Sequence, residues 1–337
     1  MIIEGRSHYL SKPYYPQITI NFSMDLVEYF YSLAKQIPEG KVTTYGALAR
    51  ALGDIRASRA VGRMLNQNPY WPVVPCHRVV MSDGSLGGFG TGIEKKIKLL
   101  AKEGVQVLDN DIVDFENILF SDFKSDYPLK KMRKEQKRLR KSIKLENGFD
   151  KIETVAGVDV AYSDMAFGGM VIYDYDNKDI IETVSVKGKI DMPYIPTYLA
   201  FRELPIIQDL MKKVKNKPDV LLIDGNGVLH PYGMGIASHV GVKLHIPTVG
   251  VAKSLLCGKQ KDKVILPGEF AEVEYEGHLI GYSFRSSPRT KKPVYISPGH
   301  LVSFNCANDV VKKFSKYKLP EPIRGAHKLA TEARNVA

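Results

Sequence analysis

The apolar period of this chain changes partway along, and that change limits it to two differently built halves. Between Met24 and Ile37, Leu26, Val27, Phe30, Leu33 and Ile37 recur at helical spacing, and Pro38-Glu39-Gly40 then ends the helix. Thr43-Thr44-Tyr45-Gly46 opens a second helix with a hydroxyl cap, and Gly53 stops it. A third runs from about Ala57 to Leu65 after the turn Gly53-Asp54-Ile55-Arg56, so the pair reads as a helix-turn-helix. From Glu153 onward the text is different. Glu153–Ala161, Gly169–Tyr175 and Ile180–Val186 are β-rich, a helix is expected over Tyr198–Leu210, and Val220–Ile223 is a short buried strand. That order predicts an α/β domain with a mixed sheet behind a mainly α domain.

Length agrees, since 337 residues are too many for one typical domain and suit two. Hydrophobic residues make up 44% and charged residues 25%, ordinary for soluble globular protein. No apolar run approaches the roughly 18 residues of a membrane span. Met1–Leu10 lacks a signal-peptide core, so the cytoplasm is the expected compartment. No sequence feature calls for an obligate protein partner.

Charge divides the chain in the same places. Residues 1–105 carry 13 Lys/Arg against 8 Asp/Glu, residues 106–125 carry 1 against 5, and the remainder 34 against 24, within a total of +11. Two basic blocks flank an acidic strip, which predicts two polyanion-binding surfaces on domains 1–105 and 126–337. The strip, 106–125, reads as a linker with one short packed turn at most, and the halves are expected to be separable there. A basic helix follows: Lys130–Lys144 holds nine Lys/Arg and one acid, Glu135, beside a narrow stripe of Met132, Leu139 and Ile143. It fits a solvated face or a phosphate-contacting one equally well.

The three cysteines, Cys76, Cys257 and Cys306, are too scattered for a zinc ribbon or a disulfide framework. Cys76 alone has a histidine beside it, in Pro75-Cys76-His77-Arg78-Val79. A neighbouring imidazole favours the thiolate, the form that reacts. The run Val42–Val105 resembles the active-site domain of the O6-alkylguanine-DNA alkyltransferases. Gly40-Lys41-Val42-Thr43-Thr44-Tyr45-Gly46, Arg59-Ala60-Val61-Gly62, Asn68-Pro69, the Cys76 motif and Leu99-Leu100-Ala101-Lys102-Glu103-Gly104 carry the likeness. The resemblance implies that Cys76 takes the alkyl group in one irreversible displacement and needs no cofactor. His77 would accept the thiol proton through a water, with Glu103 orienting its ring. The target base must leave the stack. Arg59 would fill the vacated space, Tyr45 would contact the rotated nucleotide, and Asn68 would brace the loop before the cysteine. Gly87-Gly88-Phe89-Gly90 would wall the pocket.

In the second half, Asp159 interrupts the apolar run Val158-Asp159-Val160-Ala161, and Asp224 ends Val220-Leu221-Leu222-Ile223. A carboxylate on such a strand is costly unless paired or bound to a cation. With Glu203 these residues form a hard-oxygen set suited to Mg²⁺ and to metal-assisted phosphodiester hydrolysis; capping of turns by the aspartates is the structural reading of the same residues. Residues from about 126 to 325 resemble endonuclease V. Gly157-Val158-Asp159, Met192-Pro193-Tyr194-Ile195-Pro196, Phe201-Arg202-Glu203, Asp224-Gly225-Asn226-Gly227, His230-Pro231, Gly250-Val251-Ala252-Lys253 and Ser297-Pro298-Gly299-His300 carry this likeness. It implies a ribonuclease H-like fold, and cleavage one phosphodiester 3′ of a deaminated purine, chiefly inosine. Asp159 and Asp224 would ligate Mg²⁺, for which Mn²⁺ could substitute, with Glu203 completing the acidic site. His230 and His300 would act near the scissile phosphate, Lys253 would hold a phosphate, and Tyr194 would wedge into the space left by the displaced base. Many bacterial members carry His at the place of Asn226, whereas eukaryotic members that favour RNA carry Asn. DNA is the expected partner, with inosine-containing RNA as the alternative for the nuclease. A damage-sensing module without alkyl transfer, delivering the nuclease, is the alternative for the whole chain.

Overall fold

The computed structural model describes residues 24–262 and 265–336. The stretch Met1–Leu10, on which the signal-peptide reading rests, lies outside them. The first half contains α1 (Leu26–Ala34), β1 (Thr43–Thr44), α2 (Tyr45–Leu52), α3 (Ser58–Asn66), β2 (Val79–Val80) and α4 (Ile93–Lys102). Asp25 caps α1 by accepting from the Val27 and Glu28 amides, and the Thr44 hydroxyl caps α2 by accepting from Ala47. Gly53 closes α2 in the left-handed region at φ 111°, as the sequence predicted for this stop. Strands β1 and β2 pair in parallel and tether the segment after Cys76 to the start of the helix pair.

Residues 106–125 are not a loose linker. They form the hairpin β3 (Val107–Leu108) and β4 (Asp111–Ile112), then the single turn α5 (Phe115–Ile118). The Leu119 segment bridges Val42, the Phe120 carbonyl accepts from the Thr43 hydroxyl at 2.7 Å, and Phe123 is buried. Two of the five acids that made this strip look like a linker, Asp109 and Asp114, occupy its tight turns. Asp109, Asn110 and Asp114 all take positive φ, which short polar side chains tolerate best among non-glycine residues.

Helix α6 (Pro128–Arg140) then leads into the second half. There the strands are β5 (Thr154–Tyr162), β6 (Ala166–Asp174), β7 (Ile180–Gly188), β8 (Val220–Asp224), β9 (Thr248–Ala252), β10 (Lys259–Gln260), β11 (Phe270–Tyr275), β12 (His278–Phe284) and β13 (Val294–His300). Among the described residues they make one mixed sheet, in the order β10-β11-β12-β13-β9-β8-β5-β6-β7, with β5, β8 and β9 parallel. Helices α7 (Leu199–Lys213) and α8 (Ile236–Leu244) cover one face, and α9 (Phe304–Phe314) and α10 (Glu321–Val336) the other. Alternation along β5 sends Ala156, Val158 and Val160 toward α7 and α8, leaving Gly157 and Asp159 on the α10 face. A Cβ on Gly157 would lie 2.0 Å from the Pro322 backbone, so glycine there is what lets α10 sit directly on the sheet.

The two halves share a core. Leu26, Phe30, Leu48, Val61 and Val79 of the first half pack in one cluster with Leu129 and Met132 of α6 and with Met192, Ile195 and Tyr198 of the second. The halves expected to separate at 106–125 thus meet through the loop before α7, which is apolar on the side that faces α1–α3. Among the described residues no helix is long and apolar enough to cross a membrane.

Candidate active sites

Cys76 opens a single 3-10 turn, Cys76–Arg78, that leads into β2. Its thiol is partly buried. Asn68 spans the loop before it: Nδ2 donates to the Val74 carbonyl at 3.0 Å and lies 3.5 Å from the Cys76 sulfur, while Oδ1 accepts from the Tyr70 amide. Asn68 thus ties the Val74 carbonyl to the Tyr70 turn and reaches the thiol as well. His77 is buried, with Nε2 2.8 Å from Glu103 Oε1. Arg78 grips the same carboxylate with two bonds of 2.8 Å and ties itself to the Ile37 carbonyl. Burial pushes the Glu103 carboxyl up, but hydrogen bonds from Arg78 and His77 outweigh it and hold the group below its ordinary value. It stays an anion. The His77 Nδ1 is buried with no hydrogen-bond partner among the described residues, the condition of an imidazole that a water joins to its neighbour.

Tyr45, the first residue of α2, lies against Gly62 of α3 and Gly87 of the glycine-rich segment, and burial raises its hydroxyl pKa. Phe89 meets the His77 ring edge-on at 6.5 Å. Arg59 is exposed on the first turn of α3. One residue of this centre was invisible in the sequence. Lys96 is fully buried, donates to the carbonyls of Val79 and Leu86, and is pushed down to about 8 by burial, with Cys76 opposing. Nothing distinguished it from Lys95 and Lys98 in a run that looks like a charged helix face.

The second centre is assembled from distant elements. Parallel pairing sets Val158 of β5 against Ile223 of β8, so the next residues, Asp159 and Asp224, lie side by side on one face of the sheet. Glu203 enters from α7 and accepts from the Tyr162 hydroxyl at 3.2 Å. Burial, then the charge of Asp159, pushes the Glu203 carboxyl up to about 8. Asp224 is also raised, by burial against the pull of Lys253. Lys253 Nζ is 2.5 Å from Asp224 Oδ2, and His327 Nδ1 is 2.6 Å from Asp159 Oδ2. Among the described residues, no three His, Cys, Asp or Glu side chains gather at the spacing of a formed metal shell. What they do form is an all-oxygen donor set under mutual repulsion, which is the set a hard divalent cation relieves.

A cleft of about 320 Å³ reaches this set at Asp224, and Tyr194, Thr197, Asn226, His230 and Lys253 also line it. Tyr194 stands half out at its mouth. His230 is buried, its Nδ1 accepting from the Tyr232 amide, and burial with Arg133 and Arg56 nearby pushes it down to about 3. It is a neutral imidazole. Asn226 Oδ1 is buried there without a partner among the described residues. His300 is elsewhere. It is buried near His245 and accepts from the Lys144 amide, and neither the three acids nor the cleft touches it. Of these two histidines, His327 is the one that contacts Asp159. The signal that could have found His327 is the pair of in-strand glycines, Gly157 and Gly169, which mark where α10 presses on the sheet.

Family models match both halves of the chain, and relatives span both. The family model of the 6-O-methylguanine DNA methyltransferase DNA-binding domain matches residues 25–105, and that of Endonuclease V matches residues 137–328. A bifunctional methyltransferase/endonuclease of Picrophilus torridus is 39% identical, over 90% of this chain and 95% of its own. Its counterpart in Thermoplasma volcanium is 34% identical over 91% and 90%. The solved structure of Ciona intestinalis Endonuclease V, bound to a DNA containing an inosine followed by a ribo-adenosine, superposes with a TM-score of 0.57 at 30% identity, covering 63% of this chain and all of that one. This chain belongs to the family of bifunctional methyltransferase/endonucleases, an Endonuclease V joined to an O6-methylguanine methyltransferase domain.

Proposed function

We propose that the chain repairs DNA by two unconnected chemistries, with residues 1–105 removing alkyl groups from the O6 position of guanine and residues 126–337 nicking one phosphodiester 3′ of deoxyinosine. The observation that carries this reading is the coexistence of a His77–Glu103–Arg78 chain beside Cys76 with three mutually repelling acids, one of which, Asp224, lines a cleft. In the first centre the Cys76 sulfur attacks the alkyl carbon. The S–C bond forms as the C–O bond breaks, and the electron pair leaves with the guanine, which takes up a proton. His77 removes the thiol proton through a water, and Glu103 holds the ring in the tautomer that can accept it. Tyr45 and Arg59 hold the rotated nucleotide and the gap it leaves, and Asn68 keeps the sulfur in place. No cofactor enters this step.

In the second centre Asp159 and Asp224 would hold a divalent cation, Mg²⁺ or Mn²⁺, with Glu203 completing the acidic set on a ribonuclease H-like sheet. When bound, that ion activates water and neutralises charge on the phosphate. Lys253 would turn from Asp224 to a phosphate oxygen, and neutral His230 would contact the substrate within the cleft. Tyr194 would occupy the stack where the inosine had been. Cytoplasmic placement belongs to this reading too. The test is direct: incubation with DNA bearing labelled O6-alkylguanine should label Cys76, and inosine DNA should be nicked in Mg²⁺. Unlabelled protein that still nicks would make the first half a damage-sensing module.

A second reading for the nuclease substrate, inosine-containing RNA, draws on the unpartnered Asn226 Oδ1, an acceptor that a ribose 2′-hydroxyl could satisfy. Matched DNA and RNA strands cut side by side separate the two.

A further inference from the structure

The segment that presents Tyr194 is held from the other half of the molecule. Asp54 lies in the turn between α2 and α3, where its Oδ1 caps the following turn by accepting from the Arg56 amide. Its Oδ2 points across the interface and accepts from the Tyr198 hydroxyl at 2.8 Å. Arg133 of α6 stands 3.6 Å from the same oxygen, and both side chains are nearly covered, at 12% exposure each. The Arg133 guanidinium lies over the rings of Tyr198 and Tyr232, at 4.2 and 3.7 Å. It donates to Gln136 Oε1 and to Thr197 Oγ1, both at 2.6 Å, while Gln136 donates to the Thr197 carbonyl.

Thr197 explains why so many groups converge. It is β-branched yet sits at φ 70°, a backbone state that surrounding contacts must impose. That residue turns the chain from Tyr194 into α7, the helix that carries Glu203. Gly53 lets the two halves approach closely enough for the contact. A Cβ there would come within 2.8 Å of the Lys130 amide nitrogen. The Asp54 carboxylate is the anion that orients Arg133, and Arg133 with Gln136 holds Thr197.

We propose that Asp54, a residue of the alkyltransferase half, is a positioning residue for lesion selection by the nuclease, acting through Tyr198 and Arg133 on the Tyr194 segment. This rests on the reading of Tyr194 as the wedge. An endonuclease fused to this module therefore borrows part of its specificity from the module's helix-turn-helix turn, whatever the state of Cys76.

The test uses the full chain in Mg²⁺ and compares kcat/KM on inosine-containing and undamaged strands for Asp54→Asn, Tyr198→Phe, their double variant and Tyr194→Ala. Alkyl transfer to Cys76 reports that the first half is intact. Asp54→Asn and Tyr198→Phe should each lower the inosine preference about tenfold, roughly the worth of one hydrogen bond to a charged group, chiefly through KM. The double variant should lose less than the product of the two single losses, because both weaken the same Asp54–Tyr198 contact. Should Asp54→Asn fail to fold, Tyr198→Phe, which deletes one oxygen, carries the test. Wild-type selectivity in both single variants while Tyr194→Ala loses it overturns the proposal, as do losses that multiply in the double variant. If Tyr194→Ala is itself unchanged, the wedge reading fails. Asp54 is then judged by its own variant: a lost preference upholds positioning through Thr197 and α7, and an unchanged one rejects it.

Discussion

The two reactive centres are built in opposite ways. Around Cys76, the thiol, the proposed base His77 and Arg78 are consecutive residues, and Tyr45, Arg59, Asn68, Lys96 and Glu103 come from elsewhere in the first half. The acidic centre draws Asp159, Glu203, Asp224, Lys253 and His327 from two strands, a strand end and two helices. A local centre depends on one turn being held rigid. A dispersed centre depends on the whole sheet and on both helical layers. The comparison teaches that injuries to the fold should reach the nuclease before they reach the thiol, unless they strike the shared core.

The largest effects should separate the centres outright. Cys76→Ala is expected to abolish alkyl transfer and leave nicking intact, whereas Asp159→Ala or Asp224→Ala should abolish nicking and leave transfer intact. Gel assays of label and of strand cleavage on the same preparations check both. Loss of both activities from one substitution would break the comparison.

Cutting the chain between residues 125 and 126 comes next. It exposes Leu129, Met132, Met192, Ile195 and Tyr198 on one fragment and their partners on the other. Each buried side chain of this kind contributes about 1.5–3 kcal/mol, so the sum rivals the whole margin of an ordinary domain, about 5–15 kcal/mol. Separated fragments should melt at least about 10 °C below the intact chain and recover on mixing. Fragments that melt like the parent would mean that the shared core contributes little.

Glu103→Gln sharpens the account of the thiol centre. It removes the anion that His77 and Arg78 share, and transfer should slow about a hundredfold in single-turnover measurements, with nicking unchanged. A rate within twofold of wild type would make the His77–Glu103 contact structural.

The smallest effect concerns His300. Burial, with His245 and Lys144 beside it, pushes its pKa down to about 4, so it is neutral in the fold. Below the ordinary histidine value of 6.5 the unfolded chain takes up a proton that the folded chain does not. Its contribution is thus complete above pH 6.5 and is lost as pH falls toward 4. His300→Gln should remove about one proton from the pH slope of stability in that window, measured by urea unfolding, while nicking at neutral pH persists. Lost nicking would return His300 to the reaction.

How much of this was legible follows the same division. The helix pair, a threonine cap at Thr43 or Thr44 and the Gly53 stop could be read from period and end signals, as could β5, β6 and β8. Cys76, His77, Asp159 and Asp224 stood out because each breaks the chemistry of its surroundings. His300 entered only through the endonuclease V likeness, and it is buried beside His245 rather than in the cleft. His327 and Lys96 were hidden among ordinary helix-surface residues, and only tertiary packing distinguishes them. The seating of Met192–Tyr198 in the first half's core could not be read at all, since nothing in an apolar loop says which surface it will meet.

One measurement bears most directly on the claim of two independent centres in one chain. DNA carrying both a labelled O6-alkylguanine and an inosine is incubated with the intact protein, with and without excess chelator, and label and nicks are scored in each sample. The account predicts label on Cys76 in both samples and nicks only where divalent cation is free. Nicking that survives the chelator, label that disappears with it, or label mapped to Cys257 or Cys306 would contradict it.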